Sequence, residues 1–109
     1  MLVMVSQQSQ QMIEQAQVFQ QELQLLLSQK GTLTLELNDI KRALDELDKT
    51  DEKEAYKISG SILIKSDIEK IKKELADRKE LADVRIQTIE KREKKIKERI
   101  EEIKEKISL

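Results

Sequence analysis

From Met12 to Leu47, eleven residues recur in alternating steps of four and three: Met12, Ala16, Phe19, Leu23, Leu26, Lys30, Leu33, Leu37, Ile40, Leu44 and Leu47. Ten of the eleven are apolar. A repeat of about 3.5 residues, held over about five heptads, marks a helix that must bury one narrow seam against a second helix. Extending the frame backwards places Ser9, Val5 and Leu2 on the same stripe.

The second helix of that seam lies in the C-terminal part. Its stripe reads Ala82, Ile86, Ile89, Glu93, Ile96, Ile100, Ile103 and Ile107. Upstream, Ile68, Ile71 and Leu75 join this frame only through two successive steps of four (71, 75, 79). That is a stutter, which locally unwinds a supercoil. Ser66-Asp67-Ile68-Glu69 reads as a capping box, with Ser66 capping the first turn and Glu69 reaching back. Glu90/Lys94, Glu93/Lys97 and Glu102/Lys106 are correctly oriented pairs one turn apart.

Composition removes other architectures and several chemistries. The chain has 21 basic and 22 acidic residues, two aromatics (Phe19 and Tyr56), two glycines and no proline. Such charge with so few breakers fits long helices, not an aromatic-cored globule. Neither His nor Cys occurs. Thiol nucleophiles, imidazole bases, disulfides and the usual zinc sites are therefore out of reach, and no enzyme activity or cofactor is expected. The longest apolar run, Met1 to Val5, is far shorter than a membrane span and lacks a signal peptide's basic flank. A net charge of -1 and the mixed signs along residues 67–109 argue against a nucleic-acid partner. The N-terminal stretch 6–29 differs: it holds ten Gln and only two charges, Glu14 and Glu22. A cytoplasmic location is the expectation.

Between the two stripes the period changes. Asp48 to Glu54 reads as a charged loop. Ala55-Tyr56-Lys57-Ile58 and Ser61-Ile62-Leu63-Ile64-Lys65 then read as two short strands around Ser59-Gly60. The expected elements are helix 1 over about 6–47, a β-hairpin over 55–65 and helix 2 over 67–108, all in one domain spanning 1–109. The fold class is mainly α: a long antiparallel coiled-coil hairpin with one central β-hairpin. An isolated two-stranded hairpin is marginal in water and offers unpaired edges. With the helices occupied by each other, the hairpin is expected to pair with hairpins of other chains; the alternative is a hairpin folded over the end of its own coiled coil.

Chain reversal sets the two helices antiparallel, with opposite residues satisfying i + j near about 115 when the arms are of equal length. Lys30, the one polar member of the first stripe, then faces Arg85, so Asp83 or Glu80 is the expected counter-charge. A polar seam residue either fixes register or snorkels its charge into water. Gly31 beside it weakens the helix by about 1 kcal/mol relative to Ala.

These features resemble the prefoldin family, specifically a β-type subunit. The matching run in the first arm is Phe19-Gln20-Gln21-Glu22-Leu23-Gln24-Leu25-Leu26-Leu27-Ser28-Gln29-Lys30, continuing through Glu36-Leu37 and Ala43-Leu44-Asp45-Glu46-Leu47. Tyr56-Lys57-x-x-Gly60-x-x-x-x-Lys65 follows the family's hairpin pattern, and a single hairpin is the β-type arrangement. Gly31, where a helix former is expected, and the end at Leu109, short of the extension some relatives carry, depart from the pattern.

The resemblance implies a hexamer of two α and four β subunits whose hairpins assemble into a β-barrel platform. It also implies ATP-independent capture of unfolded proteins and delivery to a group II chaperonin. The absence of Cys, His and Trp, with abundant Ile, Lys and Glu, fits an archaeal, thermophile-like member. The expected oligomerisation hairpin comprises Tyr56, Ile58, Gly60, Ile62, Leu63 and Ile64. The expected client-binding tips comprise Met1, Leu2, Val3, Met4, Val5, Met12 and Ile13 beside Ile100, Ile103, Ile107 and Leu109. Methionine-rich apolar surface adapts to varied partners, and several tips on one platform would add avidity. The alternatives are a structural coiled-coil scaffold without client binding and a helical arm that grips RNA.

Overall fold

The computed structural model describes residues 6–107. In chain order the elements are α1 (Gln7–Lys49), β1 (Glu54–Ser59), β2 (Ile62–Asp67) and α2 (Ile68–Ile107). The first helix runs two residues past the expected end, through Asp48 and Lys49, where the Lys49 ammonium pairs with Asp45 one turn back at 2.9 Å. A cation in the last turn also complements the helix dipole. Ser6 caps the other end: its hydroxyl accepts from the Ser9 N–H at 3.1 Å.

Two compact units make up the described residues: 32–86, and 6–31 together with 87–107. In the unit 32–86, Glu36 pairs with Arg78 at 3.0 Å and Asp48 with Lys72 at 3.2 Å. The α2 partner falls in number as the α1 residue rises, so the two helical segments are antiparallel. Leu37, Ile40, Ile68 and Ala82 are buried there, all on the two stripes. In the other unit, Ile89, Ile96, Ile100 and Ile103 form the buried line of α2, with Ile96 fully enclosed. All eleven members of the first stripe are buried or half-buried. The heptad frame thus translates directly into burial.

The strands pair antiparallel from Glu54↔Asp67 to Ser59↔Ile62, forming a two-stranded sheet. Ser59 belongs to β1, so the two-residue turn is Gly60-Ser61, not Ser59-Gly60. Gly60 has φ of 61°, and no other described residue has a positive φ. A left-handed glycine at the first turn position, followed by an ordinary residue, is the type II′ pattern that matches strand twist.

Ser66 and Asp67 complete β2, with Ser66 opposite Ala55. This corrects the capping-box expectation: α2 begins at Ile68, so Asp67 and not Ser66 adjoins its first turn. Helix α2 is entered differently: the Ile68 N–H donates to the Lys53 carbonyl at 2.9 Å, tying the helix start to the loop before β1.

Candidate functional site

The hairpin projects apolar side chains from both faces. Strand alternation places Tyr56, Ile58 and Leu63 on one face, and Ala55, Ile62 and Ile64 on the other. The most open are Ile58 (75% exposed) and Tyr56 (68%), and even Ile64, the least exposed of the five large residues, retains 48%. Ile58 sits directly opposite Leu63, and Lys57 opposite Ile64. Within a sheet of two strands, each strand also keeps an outer edge whose backbone groups lack a strand partner. Burying five such side chains would contribute about 1.5–3 kcal/mol each.

Ion pairs tie the hairpin to α2 and across its own strands. Lys57 reaches Glu74, in the second turn of α2, at 2.8 Å, while Lys65 pairs across the sheet with Glu54 at 3.4 Å. The hydrogen bond from Lys57 holds the Glu74 carboxyl below its ordinary range. Lys72, bonded to Asp48, is raised above the usual lysine value.

The other expected site divides. Met1, Leu2, Val3, Met4, Val5 and Leu109 lie outside the described residues. Ile13 is 37% exposed and Met12 half-buried, whereas Ile100 and Ile103 are buried in the seam and Ile107 is half-buried. The two buried isoleucines could meet another chain only where the helices part. Further apolar residues, off the stripe, stand open: Val18, Leu25, Leu27 and Leu35 on α1, and Leu81 and Val84 on α2. Their signal in the sequence is their position outside the heptad frame, which assigns them no partner.

The charge expected for Lys30 is different. Its ammonium donates to Glu93 Oε1 at 3.2 Å, not to Asp83 or Glu80. The second Glu93 oxygen lies 3.6 Å from Lys97. Glu22 and Arg92, also in this unit, make a two-bond pair at 2.7 and 3.0 Å. Its hydrogen bonds lower the Glu22 carboxyl and raise the Arg92 guanidinium from their ordinary values. Arg92–Glu22 and Arg78–Glu36 keep within one residue of the expected register, whereas Lys30–Glu93 is displaced by about two turns. The reason is side-chain direction. Helical side chains lean toward their own N-terminus, so on antiparallel helices a lysine and a glutamate displaced this way lean toward each other.

Among the described residues no group of His, Cys, Asp or Glu is placed to hold a metal ion, and no helix is long and apolar enough to cross a membrane.

Comparison with known proteins adds the family. The profile described as "Prefoldin subunit" matches residues 10–108. The chain belongs to the prefoldin family. Its relatives include prefoldin subunit beta of Thermococcus onnurineus, 39% identical over 92% of this chain and 87% of that protein. Prefoldin subunit beta of Archaeoglobus fulgidus is also 39% identical, over the same shares of each. The crystal structure of the prefoldin beta subunit from Thermococcus strain KS-1 is similar with a TM-score of 0.88. It is 34% identical, covering 97% of this chain and 94% of that one. These prefoldin relatives are archaeal β subunits. Prefoldin is a chaperone family not known for enzymes, and prefoldin β subunits form hetero-oligomeric complexes with other prefoldin subunits.

Proposed function

We propose that this chain is the β-type subunit of a hexameric holdase. Two α and four β subunits join through their hairpins into a β-barrel platform, and the coiled-coil arms capture unfolded proteins without ATP. The captured chain passes to a group II chaperonin in the cytoplasm, with no role for nucleic acid, membrane or cofactor. The observation that carries this reading is the hairpin: large apolar residues on both faces and two open edges, in a family whose β subunits assemble with others. A surface with those properties is satisfied by more strands, not by water. Capture then rests on weak contacts at several arms, multiplied by their attachment to one platform.

The test is light scattering of a chemically unfolded protein diluted into buffer, with and without the complex of this chain and a two-hairpin α-type subunit. Suppressed aggregation is the expected result. Undiminished aggregation in the presence of an intact complex would leave a structural scaffold as the better description.

A further inference from the structure

Each seam is interrupted once. Between Met12 and Leu47 the polar member is Lys30, and between Ala82 and Ile107 it is Glu93. These two interruptions are each other's partners, 3.2 Å apart in the same unit. The Glu93 side chain is only 9% exposed, and Lys30 and Lys97 approach its two oxygens separately.

Glu93 is withdrawn from water while the Lys30 side chain stays about one-third exposed. Such a pair is a poor source of stability compared with an apolar pair of similar volume, because desolvation of the carboxylate offsets much of the attraction. What it supplies is discrimination. One heptad track of α2 reads Ala82, Ile89, Ile96, Ile103, and the other reads Ile86, Glu93, Ile100, Ile107. The tracks of α1 are as repetitive: Phe19, Leu26, Leu33, Ile40 and Leu23, Lys30, Leu37, Leu44. A slip of one heptad exchanges one aliphatic layer for another nearly everywhere. Among the seam residues it changes the chemistry only at Lys30 and Glu93; outside the seam it also parts Glu22 from Arg92. A slip would set Glu93 among leucine and phenylalanine layers without Lys30, leaving a buried carboxylate short of its cross-helix partner. Strand pairing sets the alignment at the hairpin, and the steps 71, 75, 79 in α2 mark a local change of phase beyond it.

We infer that Lys30 and Glu93 form a register key: a paired specificity determinant that selects which heptads of α1 and α2 meet in the unit 6–31 with 87–107. The pair ranks one alignment above neighbours that the aliphatic layers alone would leave nearly equal. Lys97 holds the second carboxylate oxygen, so Glu93 turns toward α1 with both oxygens engaged.

Register is read directly in the full-length chain, which has no native cysteine. Gln10 and Gln87 are both exposed. Spin labels on cysteines introduced there are displaced along the arm, so a one-heptad slip changes their separation by about 10 Å. Pulsed electron resonance should give a single distance for the otherwise unaltered chain. In the Lys30→Leu/Glu93→Leu variant a second population, shifted by about 10 Å, is expected, with a melting temperature equal or higher. Exchanging the charges in Lys30→Glu/Glu93→Lys/Lys97→Glu should restore the single distance. A single unshifted distance in the leucine variant overturns the proposal, as does a shifted population that persists when the charges are exchanged. The leucine pair preserves an apolar seam, so that variant decides the matter whether or not the exchanged one folds.

Discussion

Ile58 stands directly across the hairpin from Leu63, and both side chains are more than half exposed. A cross-strand aliphatic pair is an ordinary stabilising contact when its face is covered. Here the described residues leave the face open. Among the described residues the sheet has two strands, and its ties (Lys57–Glu74 and the Ile68 N–H to Lys53) steady it without covering this face.

That arrangement separates assembly from folding. Ile58→Asp and Leu63→Asp alter exposed positions, so the isolated chain should keep its helicity and change stability within about 0.5 kcal/mol. Association with other prefoldin subunits should be lost, because each substitution places a charge where an apolar side chain would be buried. Circular dichroism checks the first expectation and native mass the second. Full retention of assembly in both variants would exclude this face from the interface.

Ile96 is fully enclosed between the helices. Ile96→Ala should cost about 2–5 kcal/mol, as removal of buried methylenes leaves a cavity. Leu35→Ala, at a position 68% exposed, should change stability by no more than about 0.5 kcal/mol. Thermal melts of the two variants make the comparison, and equal losses would contradict the seam.

The carboxyls of Glu22 and Glu74 are held below their ordinary values by Arg92 and Lys57 respectively. Depressed folded values mean that these groups favour the folded state at pH above the ordinary carboxylate range. That contribution is lost as pH falls through the depressed folded values. Lys49, Lys72 and Arg92 are raised, and their contribution persists through neutral pH, declining only above the ordinary range of each group. The melting temperature should therefore fall on acidification, and fall less in Glu22→Gln/Glu74→Gln. Because all these pairs are at the surface, added salt should narrow the difference between the two proteins. An identical acid dependence in both would remove Glu22 and Glu74 from the account.

Removal of residues 1–5 should weaken the capture of unfolded protein while leaving the hexamer intact. The run Met1-Leu2-Val3-Met4-Val5 is apolar at every position, and Ile100 and Ile103 are committed to the seam. Aggregation suppression by the truncated complex, measured beside its native mass, is the check; unchanged capture would move the client site elsewhere on the arms.

Much of this was readable from residue order. A 3.5-residue repeat constrains burial strongly, which is why all eleven residues of the first stripe are withdrawn from solvent. The hairpin was legible because β-branched residues and a glycine replace the heptad there. The partner of Lys30 was not, since facing-residue arithmetic ignores the lean of long side chains along a helix. At the start of α2 the Ser66-x-x-Glu69 pattern stands one residue too early, because strand pairing extends through Asp67 and the helix begins at Ile68. The exposed Leu35, Leu81 and Val84 had no assignment, because a heptad frame names the residues a helix buries and says nothing of what covers the remainder.

The most direct measurement is native mass by light scattering on a sizing column, for this chain alone and mixed with a two-hairpin α-type subunit of demonstrated competence. The account predicts a complex of about six chains in the mixture, held together by the open hairpin faces. A monomer under both conditions would contradict it, since the hairpin would then be satisfied by its own chain and the surface carrying the proposed function would have no partner.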